Sequence, residues 1–107
     1  MPRQRFKTLT QQMFYILLTL RQERRGVDIL EEIRTLTQGR VTIGSGNLYD
    51  LLEQFQDQEI IRQTRVEGRS RSYIITPKGE EMLEEEYRRI CDQVKDYRRV
   101  MGEEETP

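Results

Sequence analysis

Three successive apolar stripes at helical spacing come first in this 107-residue chain. A β-rich stretch then turns back on itself around "EGRS", and the last segment carries a narrow seven-residue apolar repeat. Together these predict a mainly α fold with a β-hairpin. Helix, helix, helix, hairpin, long helix is the order of a winged helix-turn-helix followed by a long C-terminal dimerisation helix. Residues 1–76 are expected to form the winged domain, and residues 77–107 the dimerisation helix and an acidic tail.

The first helix is expected from Leu9 to Leu20, because Met13, Ile16, Leu17 and Leu20 recur at helical spacing after Thr8 or Thr10 as N-cap. "RQERRG" reads as a charged turn. Val27, Ile29, Leu30, Ile33 and Leu36 then give a second stripe that ends before Gly39. Val41, Thr42 and Ile43, all β-branched, suggest a brief extended piece. Leu48, Leu51, Leu52 and Phe55 fall at i, i+3, i+4 and i+7, one face of a third helix opened by Gly44, Ser45 and Gly46. "IIRQTRV" and "RSYIIT" are the hairpin strands, with Arg69 and Arg71 at the tip. Pro77 suits the first turn of the last helix, where a missing N–H costs nothing. There Leu83, Tyr87, Ile90, Val94, Tyr97 and Met101 are spaced 4, 3, 4, 3, 4. So strict a seam favours pairing with a second copy over packing on the first helix.

Composition narrows the chemistry. With no histidine and one cysteine, Cys91, the chain has neither the usual zinc ligand sets nor a Ser-His or Cys-His nucleophile pair. Acidic runs such as "GEEMLEEE" read as solvated helix faces. No catalytic residue, cofactor or metal is therefore expected. The longest apolar run, "MFYILLTL", is too short to cross a bilayer, the N-terminus lacks the apolar segment of a secretory leader, and one cysteine suits a reducing compartment. A cytoplasmic protein is expected. The net charge of −1 hides an asymmetry: residues 1–78 carry +4 and residues 79–107 carry −5.

"GSGNLY" does not complete a nucleotide motif. The third glycine of a dinucleotide fingerprint is replaced by Tyr49, and Gly46 is followed by Asn47 where a phosphate-binding loop needs lysine. As the start of a recognition helix it makes better sense. Helix-start N–H groups at Ser45 and Gly46 favour a DNA phosphate, with Ser45 either donating to phosphate or capping the helix. Asn47 is a candidate for bidentate contact with adenine, and the Tyr49 hydroxyl for a phosphate. Arg69 and Arg71 are candidates for phosphate or the minor groove, Arg24 and Arg40 weaker ones. Double-stranded DNA and a second copy are the expected partners. Phe14, Tyr15, Tyr87 and Tyr97 are candidates to line a pocket for a small aromatic effector. Asp50, Glu53 and Asp57 on the recognition helix favour the alternative, a winged-helix protein–protein module without DNA binding.

"LTQQMFYILLTL", "RRGVDILEEI", "GSGNLYDLLEQFQDQEII" and "EGRSRSYIITPKGEEML" together resemble the PadR-type transcriptional regulators over roughly residues 8–100. The family forms are L-T-x-x-x-F/Y-x-I-L-x-x-L, H-G-Y-E-I, G-x-G-T-L-Y-x-x-L-x-x-L-E-x-x-G-L-I and G-R-x-R-K-Y-Y-x-L-T-x-x-G-x-x-x-L. The single last helix resembles the smaller subgroup. The resemblance implies dimeric bacterial repressors whose DNA binding small molecules relieve. Arg25 stands for the usual His, Val27 for Tyr, Asn47 for Thr, and Glu59 for the Gly that ends the recognition helix. Some small members sandwich flat aromatic compounds with a tryptophan; here Ile90 falls near that position.

Overall fold

Over residues 8–103, which the computed structural model describes, the expected order of elements is observed with one short strand added. The basic opening residues 1–7 and the acidic end 104–107 lie outside the described residues.

Helix α1 (Gln11–Thr19) starts at Thr10, whose Oγ1 accepts from the Met13 N–H at 3.2 Å, so Thr10 and not Thr8 is the N-cap. "RQERRG" is more than a turn. Arg24 and Arg25 form strand β1 (Arg24–Arg25), which leads into α2 (Gly26–Thr37). α2 stops at Gln38, which takes the left-handed conformation just before Gly39. Its expected stripe is narrower than the sequence suggested: Ile29 and Ile33 are buried, whereas Val27 and Leu36 are exposed. Val41 and Ile43 are buried but form no strand; the Val41 N–H donates to Thr37 Oγ1 at 3.2 Å, not to a neighbouring strand. They plug the core between helices.

Helix α3 (Ser45–Asp57) buries Leu48, Leu51, Leu52 and Phe55, the four residues its periodicity selects. At its end Glu59 has φ 62°, so the left-handed turn that glycine would favour is kept by a glutamate. That conformation costs a side-chain-bearing residue about 1–2 kcal/mol. β2 (Ile61–Glu67) and β3 (Ser70–Ile75) pair antiparallel with an irregularity between Gln63 and Arg65, and β1 adds on the other side of β3. The sheet order is β1-β3-β2.

Helix α4 (Pro77–Met101) begins at a crowded joint. Thr76 Oγ1 accepts from the Gly79 N–H at 3.1 Å, and the Thr76 N–H donates to the Ile60 carbonyl at 3.0 Å. A Cβ on Gly79 would lie 2.3 Å from that carbonyl and 2.7 Å from Ile75 Cγ1. The T-x-x-G spacing in "TPKG" is thus a cap followed, one turn later, by the residue that must be small. Beyond it Leu83 and Glu86 are buried against the domain, and the helix then runs on exposed. Among the described residues no helix is long and apolar enough to cross a membrane.

Alanine at Gly79 forces two backbones apart at this joint. Gly79→Ala is expected to lower stability by about 2–3 kcal/mol, read as a shifted midpoint in chemical denaturation.

Candidate nucleic-acid interface

The N-terminal end of α3 stands out from the domain. Its apolar face is buried from Leu48 onward, while Gly44, Ser45, Gly46, Asn47 and Tyr49 are exposed. Gly44 is the N-cap, and no side chain caps the helix. Ser45 therefore stands inside the first turn and is not the cap, so the capping alternative is set aside. The first N–H groups of α3 are left without a side-chain acceptor, the arrangement that suits an anion.

Two neighbours shape this end. Tyr49 lies across the start of α2: a Cβ on Gly26 would be 3.0 Å from Tyr49 Cε1 and 3.2 Å from its hydroxyl. A side chain at position 26 would press on the ring, which would have to give by a few tenths of an ångström. Tyr49 is thus braced through its hydroxyl edge and still 44% exposed. The second neighbour is Gln12 on α1, whose Oε1 accepts from Asn47 Nδ2 at 2.7 Å. Neither Gly26 nor Gln12 was marked by the sequence. Gly26 read as the end of a turn, and a contact across 35 positions leaves no local pattern.

On the hairpin, Arg69 sits in the loop, exposed, with no hydrogen bond or ion pair among the described residues. Arg71 lies in β3 and not at the tip itself; its Nη1 donates to Gln63 Oε1 at 3.2 Å. Arg24 is used structurally, donating to the Thr19 carbonyl at 2.8 Å and facing Glu32 at 3.5 Å. Arg40 reaches the Tyr15 hydroxyl at 3.4 Å. Arg25 and Asp28 hold each other: hydrogen bonding to Asp28 raises the arginine pKa, and the same bond lowers that of the aspartate. Further along α3, Asp50 accepts from Gln54 at 3.0 Å and Glu53 is exposed. The acidic groups therefore begin a turn behind the uncapped end.

Along α4 the narrow seam divides. Leu83 is buried in its own domain, while Tyr87, Ile90, Val94, Tyr97 and Met101 are exposed. Packing of α4 on α1 thus accounts for the first part of the seam only. Between the two helices lies an apolar cleft of about 580 Å³. Phe14, Tyr15, Tyr87 and Ile90 line it, Cys91 lies at its wall, and Tyr97 lies outside it. Phe14 and Tyr15 meet edge to face with centroids 5.5 Å apart. Among the described residues no cluster of three or more His, Cys, Asp or Glu side chains is placed to hold a metal ion.

At the cleft's edge is a buried carboxylate, Glu86. It accepts from the Leu9 N–H at 3.2 Å and pairs with Arg89, tying the segment before α1 to α4. The hydrogen bond from Arg89, helped by that from Leu9, holds its pKa below the ordinary glutamate value although burial opposes this.

A family model described as "Transcriptional regulator PadR-like family" matches residues 16–85. The chain is 32% identical over 65 residues to Transcriptional regulator YqjI of Escherichia coli (strain K12), a match covering 61% of this chain and 31% of that protein. The chain thus spans about a third of the length of the curated relatives it matches. Its fold is similar to H. salinarum RosR (TM-score 0.68, 19% identity, 81% of this chain and 78% of that one). A PadR-like transcriptional regulator from Bacillus cereus is also similar (TM-score 0.67, 23% identity, 85% and 91%). So is Bacillus subtilis PadR in complex with operator DNA (TM-score 0.58, 23% identity, 67% and 42%).

Because the folded pKa of Glu86 is depressed, its stabilisation is present above the ordinary value of 4.5 and is lost as pH falls through the lower folded value. Wild type is expected to melt above Glu86→Gln at neutral pH, with the gap closing below pH 4.5. Thermal melts from neutral to acid pH check this.

Proposed function

The chain belongs to the PadR-like family of transcriptional regulators, and from that premise we propose that it binds a two-fold DNA operator as a homodimer and represses transcription. The observation that carries this reading is the exposed, uncapped end of α3. Ser45 and Gly46 meet a phosphate with backbone N–H groups at the positive end of the helix dipole. Asn47 faces base edges, and the braced Tyr49 gives its hydroxyl to a phosphate. Arg69 and Arg71 on the hairpin take phosphates or the minor groove beside it. The helix enters the groove by its tip, which keeps Asp50 and Glu53 away from the phosphates. Bacillus subtilis PadR was solved in complex with operator DNA, which supports DNA as the partner.

The exposed apolar residues Tyr87, Ile90, Val94, Tyr97 and Met101 support pairing of α4 with a second copy. Two such subunits present their α3 tips to successive major grooves, about 34 Å apart. The α1–α4 cleft supports a small aromatic effector seated against Phe14, Tyr15 and Tyr87. Such a ligand relieves repression by changing how α4 seats and hence the spacing of the two tips. No cofactor or membrane enters this scheme, which suits a cytoplasmic regulator. It is a binding mechanism and not a catalytic one.

Genome-wide recovery of DNA bound by the purified protein tests the reading, with an Arg69→Ala/Arg71→Ala double variant alongside. One two-fold motif is expected to be enriched by the wild type. On that motif the double variant is expected to bind at least tenfold more weakly, and to lose about two units of the salt slope, near 0.9 per phosphate contact. Absence of enrichment by the wild type at low and moderate salt would point instead to a protein-binding winged helix.

A further inference from the structure

Gln12 occupies an unusual place for a surface glutamine. It is half-buried on the first turn of α1, and its carboxamide spans the gap between the loop before α3 and α3 itself. Its Nε2 points at the Thr42 carbonyl, 3.5 Å away, and its Oε1 lies 2.7 Å from Asn47 Nδ2. A backbone carbonyl accepts only, so the Nε2 end belongs there and the Oε1 end must face Asn47. Asn47 must then answer with an N–H. The short Gln12–Asn47 contact, with Nε2 toward Thr42, thus orients the exposed Asn47 amide.

What remains outward is the Asn47 Oδ1 and the second Nδ2–H, one acceptor and one donor in a plane. In the major groove adenine offers the complement, its N6 donating and its N7 accepting. An asparagine alone at a solvated helix tip would sample several rotamers and both amide orientations before meeting a base. Resting on the DNA-binding reading above, we infer that Gln12 is a positioning residue for base readout: it holds Asn47 so that each subunit selects adenine at one position of the operator. Gln12 touches no reacting group and need not touch DNA. Its contribution is to specificity, separate from the affinity supplied by Arg69, Arg71 and the helix tip.

The test is selection from random duplexes with the full chain at one fixed salt concentration, using wild type, Asn47→Ala, Gln12→Ala and Gln12→Glu. The wild-type motif is expected to hold one adenine per half-site that Asn47→Ala flattens, with the remaining positions kept. Gln12→Ala is expected to flatten that same position, reducing the adenine preference by about fivefold or more, as loss of a preorganised bidentate contact implies. Gln12→Glu still offers an oxygen to Asn47 Nδ2. It is expected to keep the adenine while binding more weakly overall, because its added charge repels phosphate. Melting temperatures of all four proteins separate this from a loss of fold.

An unchanged adenine position in Gln12→Ala overturns the inference. So does a uniform weakening at every position, which is what a merely structural role predicts. If Asn47→Ala flattens nothing while the wild type still selects a motif, the inference falls and the DNA-binding reading stands. If the wild type selects no motif, both fall together.

Discussion

The close approach of Gly79 to the Ile60 carbonyl is the constraint on which the rest of the molecule hangs. At that point the exit of α3, the start of β2, the end of β3 and the start of α4 meet within one residue's width. Thr76 binds the joint through its N–H to Ile60 and through its hydroxyl, which accepts from the Gly79 N–H and faces the Glu59 and Ile60 carbonyls as donor. The direction in which α4 leaves the domain is thereby fixed relative to the tip of α3. In a dimer built on α4, that angle sets the distance between the two tips. In the proposed dimer, a local packing rule, that no Cβ fits here, reaches as far as the spacing of the two tips.

The N-terminal end of α3 is held by its neighbours more than by itself. α3 brings its own apolar face and an uncapped start, but Tyr49 rests on Gly26 of α2 and Asn47 is held by Gln12 of α1. The first two helices, whose apolar residues build the core, also brace the side chains that face outward. The first helix does a third thing, since Phe14 and Tyr15 form one wall of the cleft against α4. The segment just before it is tied to α4 through the Leu9 N–H and Glu86. Helix α1 is therefore in contact with the α3 tip, the core and the proposed dimer helix at once.

Much of this was legible in the sequence where a pattern repeats locally. The i, i+3, i+4, i+7 spacing of Leu48, Leu51, Leu52 and Phe55 identified both the helix and its buried face. The two β-rich runs around "EGRS" identified the hairpin, and Pro77 the first turn of α4. Where tertiary partners decide, the pattern misled or was silent. Arg24 and Arg25 have no strand signature and pair with β3 only because the chain passes its edge. Val41 and Ile43, expected as a brief extended piece, lie in a connection that joins no sheet, their apolar side chains buried in the core. Leu83 continues the heptad in sequence yet lies in its own core, since the repeat cannot tell which copy covers it. Glu59 keeps a glycine's conformation under the demand of the Phe55–Ile60 turn, where the Ile60 N–H donates back to the Phe55 carbonyl at 2.8 Å. Gln12 is invisible for the same reason, its partner lying 35 residues away.

In the proposed complex two α3 tips, set apart by paired α4 helices, enter the major groove of one duplex. Hydroxyl-radical footprinting of the wild-type protein on its recovered motif tests it most directly. Two protected tracts are expected on one face of the duplex, with centres about one helical turn apart. A single tract, or tracts on opposite faces, would contradict it.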